Sequence, residues 1–351
     1  MSLPVPVRKA VERMRAYHPP LEGRGGKMRL DFNENPAGCP PEVKKALGRL
    51  SADEIATYPE QETARRELAK FFGARAEELL LANGTDEALH LIVNTFVDPG
   101  DSVLLAEPTF AMYRFYGELG GARVVALRYG AELTFPVEET IEALRKKPRV
   151  LFIANPNNPT GSLVMLEELK AILEAARRTM VVVDEAYFEF SGLTVLPWIR
   201  RHKNLIVTRT FSKAAGLAGL RLGCLFANAE VAAHLRKAQS PYPVNVAALA
   251  AARALIRDKS FLAKTLEEFR LSREELTRGL ARLGLRQFPS AANFILVDAE
   301  ERAKRIVAGL ARRGILIRDR SHDFGGAGYV RITIGTRAQT RALLRHLKEV
   351  L

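Results

Sequence analysis

Between about residues 60 and 240, two kinds of hydrophobic pattern alternate along the chain. Short, almost unbroken apolar runs occur at Leu79–Ala82, Ser102–Ala106, Arg123–Leu127, Arg149–Ala154, Met180–Asp184, Leu205–Arg209 and Leu222–Ala227. Their length and richness in valine, isoleucine and leucine predict strands. Segments between several of them, such as Glu87–Phe96 and Leu166–Arg178, repeat apolar residues every three or four positions and predict helices. A strand that is apolar at nearly every position buries both faces, so helices must cover the sheet on both sides. The pattern predicts a doubly wound α/β domain with a mostly parallel sheet, in which ligands sit beyond the carboxyl ends of the strands.

The pattern changes after about residue 245. Long helical stretches at Ala247–Ile256 and Phe261–Leu283 lead to short strands near Phe294–Val297 and Val330–Ile334, with helices at Arg302–Arg313 and Gln339–Val350. This predicts a smaller α+β domain. The opening segment, with Pro19–Pro20 and glycines at 23, 25 and 26, reads as an extended arm.

Composition narrows the function class. An apolar fraction of 47% over 351 residues is enough for a large core and an ordered globular protein. No apolar run approaches the roughly 20 residues of a membrane helix, and Met1–Arg15 lacks the apolar segment of a secretory signal. Cys39 and Cys224 are the only cysteines and stand far apart, which fits a reducing cytoplasm. The net charge of +13 raises nucleic acid as a partner. The basic residues are spread among acidic neighbours, however, without a basic tail, so a solvated surface and an anionic substrate are the expectation. Gly23–Lys27 lacks P-loop spacing, Gly325–Gly328 reads as a mobile loop, and the six histidines show no metal-ligand spacing, so no metal site is expected.

Four motifs stand at predicted strand ends. Asn83-Gly84-Thr85-Asp86-Glu87 joins a strand to a helix. Gly84 permits a tight turn, Thr85 or Asp86 can cap, and the first helical N–H groups face an anion. Asn155-Pro156-Asn157-Asn158-Pro159-Thr160-Gly161 is a rigid turn that can present a side-chain amide. Asp184 closes a valine-rich strand, where it can cap the next element or hold a pyridinium nitrogen in its protonated form. Lys213, after Thr210-Phe211-Ser212, can form a Schiff base with an aldehyde and then act as a general base, while Ser212 and Arg221 can bind a phosphate. Each motif alone has an ordinary structural use; their succession at strand ends describes a pyridoxal phosphate (PLP) pocket.

With these residues in place, the chain resembles the fold-type I PLP-dependent aminotransferases, and among them the histidinol-phosphate aminotransferases. The similarity extends from Tyr17 to the C-terminal helix. It includes Asp31-Phe32-Asn33-Glu34-Asn35-Pro36, Thr57-Tyr58-Pro59, Ala218–Gly223, Ser240–Asn245, Ala292–Val297 and Val330–Thr336. The resemblance implies an arm and part of the small domain over residues 1–46, a large PLP-binding domain over 47–244, and a C-terminal small domain over 245–351. Lys213 would bond the cofactor and move the substrate proton, Asp184 would pair with the ring nitrogen, and Asn158 and Tyr187 with the ring oxygen. Gly84, Thr85, Asp86, Ser212 and Arg221 would hold the phosphate, and Phe110 would stack on the ring. Tyr58 would reach the phosphate of a neighbouring subunit, implying a homodimer. Tyr17, Arg318 and Arg331 would bind substrate.

The implied reaction is ping-pong transfer of an amino group between histidinol phosphate and 2-oxoglutarate, giving glutamate, in histidine biosynthesis. An aromatic amino donor, threonine-phosphate decarboxylation and a DNA-binding protein on the same fold are the alternatives. The arm departs from the family pattern at Ala16-Tyr17-His18-Pro19-Pro20, and Asn35–Cys39 lacks a common aromatic and serine.

Overall fold

The computed structural model describes residues 5–130, 132–326 and 328–351, without the side chain of Lys259. Residues 1–4, which begin the segment read for a secretory signal, and Ala327, within the Gly325–Gly328 run, lie outside the described residues.

Twelve strands form two sheets among the described residues. In chain order they are β1 (Met28–Leu30), β2 (Leu79–Ala82), β3 (Ser102–Glu107), β4 (Arg123–Arg128), β5 (Val150–Ala154), β6 (Met180–Asp184), β7 (Leu205–Thr210), β8 (Gly223–Ala227), β9 (Arg286–Gln287), β10 (Phe294–Asp298), β11 (Ile315–Asp319) and β12 (Tyr329–Thr333). The larger sheet has the order β2-β8-β7-β6-β5-β3-β4. Only β8 runs against its neighbours, pairing antiparallel with both β2 and β7.

The unbroken apolar runs have a direct cause. Successive side chains of a strand point to opposite faces. Val181 and Val183 enter one buried cluster and Val182 the other; Leu205 and Val207 enter the first and Ile206 the second. Each face is covered by helices, including Gly84–Phe96 on one side and Leu166–Ala175 on the other. The helix Val246–Arg257 also packs on the large core through Ala248, Leu249 and Leu255.

The smaller sheet has the order β1-β11-β12-β10-β9, with β1 parallel to β11 and the other pairs antiparallel. Its core joins Leu30, Ile295, Val297, Ile315, Ile317, Val330 and Ile332 to Leu276, Leu280, Ile306, Leu310, Leu343 and Leu347. Only that face packs on helices at Lys259–Arg282, Ala303–Arg312 and Arg337–Val350, so the alternate positions of β11 and β12 are free to carry polar side chains. Arg318 and Arg331 occupy such positions, directly opposite each other in the β11–β12 ladder. Like charges directly across a ladder oppose folding, a cost that a counter-charge between them would offset.

Candidate active site

One cavity opens where the carboxyl ends of β5, β6 and β7 meet the small sheet. Thr85, Asp86, Phe110, Asn158, Asp184, Tyr187, Ser212, Lys213, Arg221, Tyr17, Arg318 and Arg331 all line it. Gly84 stands immediately behind this lining, against Arg221. Tyr58 is 76% exposed and not part of the cavity wall; its ring stacks on Tyr242 with centroids 4.1 Å apart.

At one end of the cavity, Gly84 opens the helix after β2 with φ at 77°. A Cβ there would lie 2.4 Å from Arg221 Nη2, and a Cβ on Gly223 would lie 2.5 Å from the Gly84 carbonyl carbon. Glycine is therefore required at both positions for helix, strand and guanidinium to come together. The expected cap by Thr85 or Asp86 is corrected by the structure. Asn83 is the N-cap and makes no side-chain cap bond, whereas Asp86 accepts from Arg221 Nη2 at 2.9 Å. The first-turn N–H groups thus lack a side-chain cap, and with Arg221 and Ser212 beside them this end of the cavity has donors that suit an anion. Arg221 itself adopts left-handed backbone angles, with φ at 54°, at a cost of about 1 kcal/mol that its surroundings must offset.

Asp184 occupies the middle. It is buried, and its contacts are neutral: the Tyr113 hydroxyl donates to Oδ2 at 2.8 Å and the Ala186 N–H to Oδ1 at 3.1 Å. Burial pushes its carboxyl above the ordinary range, against the opposing effect of the Tyr113 bond. Among the described residues this carboxylate has no cationic partner, and a protonated ring nitrogen would supply one. The ring of Tyr113 stacks on Phe152 at 5.1 Å and meets Phe110 edge-on at 5.6 Å, continuing an aromatic wall toward the cavity. Tyr113 was not among the sequence candidates. Three residues after Phe110 in an apolar-rich helix, it carries no local signal that separates it from core.

Lys213 projects from the loop after β7, and its Nζ donates to the main-chain oxygen of Phe32 at 3.1 Å. Burial, with the nearby Arg331 guanidinium, pushes its amine down to about 8. An amine so shifted reaches its neutral, nucleophilic form at much lower pH than an ordinary lysine. The hydroxyl of Tyr187 accepts from Asn33 Nδ2 at 2.9 Å, and Asn158 Oδ1 accepts from Arg331 Nη1.

At the far end, Arg331 donates to the Asp31 main-chain oxygen at 2.6 Å, so its partners there and at Asn158 are uncharged. Burial, then the adjacent Arg320, pushes its guanidinium down to about 10. Arg320 lines the same cavity, two residues beyond Arg318, and pairs with Asp323 at 2.5 Å. It too escaped the sequence reading, although its alternation with Arg318 was a usable signal. Three guanidiniums facing one cavity are suited to a multiply charged anion. Phosphate-binding donors, a carboxylate awaiting a cationic nitrogen and a low-pKa amine also match the phosphate, pyridine and aldehyde of PLP in chemical character.

Comparison with known proteins identifies the family. Residues 25–347 match the family "Aminotransferase class I and II". The histidinol-phosphate aminotransferase of Caldanaerobacter subterraneus subsp. tengcongensis is 40% identical over 331 residues, covering 93% of each chain. The crystal structure of histidinol-phosphate aminotransferase from Sinorhizobium meliloti in complex with pyridoxal-5'-phosphate matches with a TM-score of 0.89 at 28% identity, over 98% of this chain and 97% of that one. L-threonine-O-3-phosphate decarboxylase from Porphyromonas gingivalis matches with a TM-score of 0.81 at 27% identity, over 92% and 98%. The fold is that of the fold-type I enzymes, and the chain belongs to the aminotransferase class I and II family.

Proposed function

We propose that this aminotransferase uses PLP to pass the amino group of histidinol phosphate to 2-oxoglutarate, by a ping-pong mechanism and within histidine biosynthesis. The observation that carries the reading is the alignment of three unlike sites along one cavity: an uncapped helix with Arg221, buried Asp184 beside Lys213, and the arginine cluster. The near full-length similarity to histidinol-phosphate aminotransferases supports the substrate.

When bound, PLP supplies an aldehyde that receives the amino group and a ring that withdraws electrons from the reacting carbon. The N–H groups at Gly84, Thr85 and Asp86, with Ser212 and Arg221, would hold its phosphate. Asp184, kept in place by Tyr113, would hold the proton on the ring nitrogen. Asn158 and Tyr187 would hold the ring oxygen, and Phe110 would cover the ring. Lys213 would take the proton from the amine-bearing carbon and deliver it back within the site. Arg331 and Arg318 would clamp the substrate anion, and Tyr17 would close over it from the arm.

The protein is read as a cytoplasmic homodimer, with Tyr58 completing the partner's phosphate site. Its exposed position beside Tyr242 and the two widely separated cysteines support this. Among the described residues no helix is long and apolar enough to cross a membrane. The domain division is proposed at 1–46, 47–244 and 245–351, with Val246–Arg257 seated on the large core from across the second boundary.

Single-turnover absorbance of the PLP-loaded protein tests the function. Histidinol phosphate and glutamate should each convert the cofactor to its amine form, and Lys213→Ala should abolish the conversion. Preference for phenylalanine would instead assign an aromatic amino donor. The arginine cluster and the decarboxylase neighbour favour threonine phosphate as a second candidate. Carbon dioxide released from threonine phosphate, with the cofactor left as aldehyde, would establish that reaction.

A further inference from the structure

Residues 31–35 form a strap along one wall of the cavity, and successive residues touch successive working groups. Asp31 offers its main-chain oxygen to Arg331 at 2.6 Å, and Phe32 offers its own to Lys213 at 3.1 Å. Asn33 donates to the Tyr187 hydroxyl at 2.9 Å, and Asn35 to the main-chain oxygen of Ala214 at 2.9 Å. Strand β1 ends at Leu30, so the strap is not held by a ladder.

Thr333 and Asn293 pin Asn33 at its centre, and one side chain from the arm grips the residues on either side. Arg24 donates to Asp31 through Nε at 3.1 Å and Nη2 at 2.8 Å, and to Glu34 through Nη1 at 3.3 Å and Nη2 at 2.6 Å. Its guanidinium also lies over the Phe32 ring, 4.3 Å from the centroid, and the side chain is only 11% exposed. Asp31 and Phe32 offer their main-chain oxygens to Arg331 and Lys213, so the two residues that Arg24 holds by fork and by stacking are also those that position the anion clamp and the reactive amine. Few side chains other than arginine can fork two carboxylates and stack on a ring at once.

We propose that Arg24 is a positioning residue for amino transfer: by joining Asp31 to Glu34 and covering Phe32, it holds the strap against Lys213 and Arg331. The proposal rests on Lys213 being the reactive amine. Arg24 also balances charge in the cavity, where Glu34 forms part of the wall. The charged groups facing Lys213 are Arg331 from β12, Glu34 from the strap, Asp86 from the helix after β2 and Arg221 from the turn before β8. Without Arg24, Glu34 would hold a proton on Lys213 more strongly and would repel an anionic substrate.

The test uses PLP-loaded protein carrying Arg24→Gln, Arg24→Lys, Lys27→Gln or Lys213→Ala. Three properties are read: the pH midpoint of the cofactor absorbance, the single-turnover rate, and amide hydrogen exchange over residues 28–36. Arg24→Gln should raise the midpoint by about one unit, as expected for an unbalanced carboxylate within a few ångströms. It should also slow turnover about tenfold or more and speed exchange in the strap. Arg24→Lys keeps the charge but loses the fork, so its midpoint should return toward that of the unmodified protein while exchange stays fast. Lys27→Gln removes a nearby arm charge and should change none of the three.

A folded Arg24→Gln with unaltered midpoint and exchange would overturn the proposal. If that variant does not fold, full strap protection in Arg24→Lys would overturn it equally. A lysine-bound absorbance band that survives Lys213→Ala would instead overturn the reading of the site on which the proposal rests.

Discussion

Arg320 and Lys213 show how much a single side chain's setting alters its chemistry. Arg320 shares a cavity with Arg318 and Arg331, and Asp323 neutralises it in part. A phosphate dianion gains from a third guanidinium in a way that a single carboxylate does not. Arg320→Gln should therefore raise KM for histidinol phosphate about 10- to 100-fold, the loss of one charged hydrogen bond of about 1.5–3 kcal/mol. KM for glutamate should move much less, and steady-state kinetics with both donors would check the contrast. Lys213 carries a pH signature. Its amine is lowered from 10.5 to about 8 in the folded protein, so between those values the unfolded chain binds more protons than the folded one. Stability of the PLP-free protein should accordingly rise with pH from about 8 to 10.5, with the penalty fully present below 8. Melting curves across that window, compared with Lys213→Met, would isolate the contribution, because the variant should lose the slope.

At the scale of elements, the turn between β2 and its helix is the part most sensitive to small changes. Gly84, Arg221 and Gly223 approach within distances that leave no room for a methyl group. Gly84→Ala should displace Arg221 and force a β-carbon onto a backbone with φ at 77°. We expect at least a tenfold loss of PLP affinity and about 1 kcal/mol or more of stability, read by cofactor titration and denaturant unfolding. The strands β2, β6 and the helix around Leu166 were legible in the sequence because apolar periodicity reports burial directly. The same logic placed Asp184 and Lys213 at strand ends. The helix after β2 begins at Gly84 rather than Glu87, because its first turn faces the cavity and so carries no apolar periodicity. Strand β1, only three residues long, was missed: its pairing with β11 links positions nearly 290 apart, and nothing local announces it.

At the scale of the whole molecule, one aromatic contact stands outside the cavity. Tyr58 stacks on Tyr242 at the surface, away from the cavity wall of its own chain. If each site borrows Tyr58 from the other subunit, inactive Lys213→Ala and weakened Tyr58→Ala chains should complement each other. Co-refolded in equal amounts, they should recover about a quarter of the activity, since half the dimers are mixed and each mixed dimer holds one intact site. Activity no higher than the average of the parents would indicate that each chain's site is complete alone.

The sequence by itself determined the alternation of strands and helices, the two-sided burial of the large sheet, and the order of the PLP motifs. These depend on residues close together in the chain, where periodicity and turn chemistry act. Only the tertiary structure decided that Tyr113 bonds Asp184, that Arg320 joins Arg318 and Arg331, and that Arg24 grips the strap beside Lys213. Those contacts join distant segments through side chains that would be equally at home in a core or on a surface, and no local pattern distinguishes the outcomes until the two sheets meet.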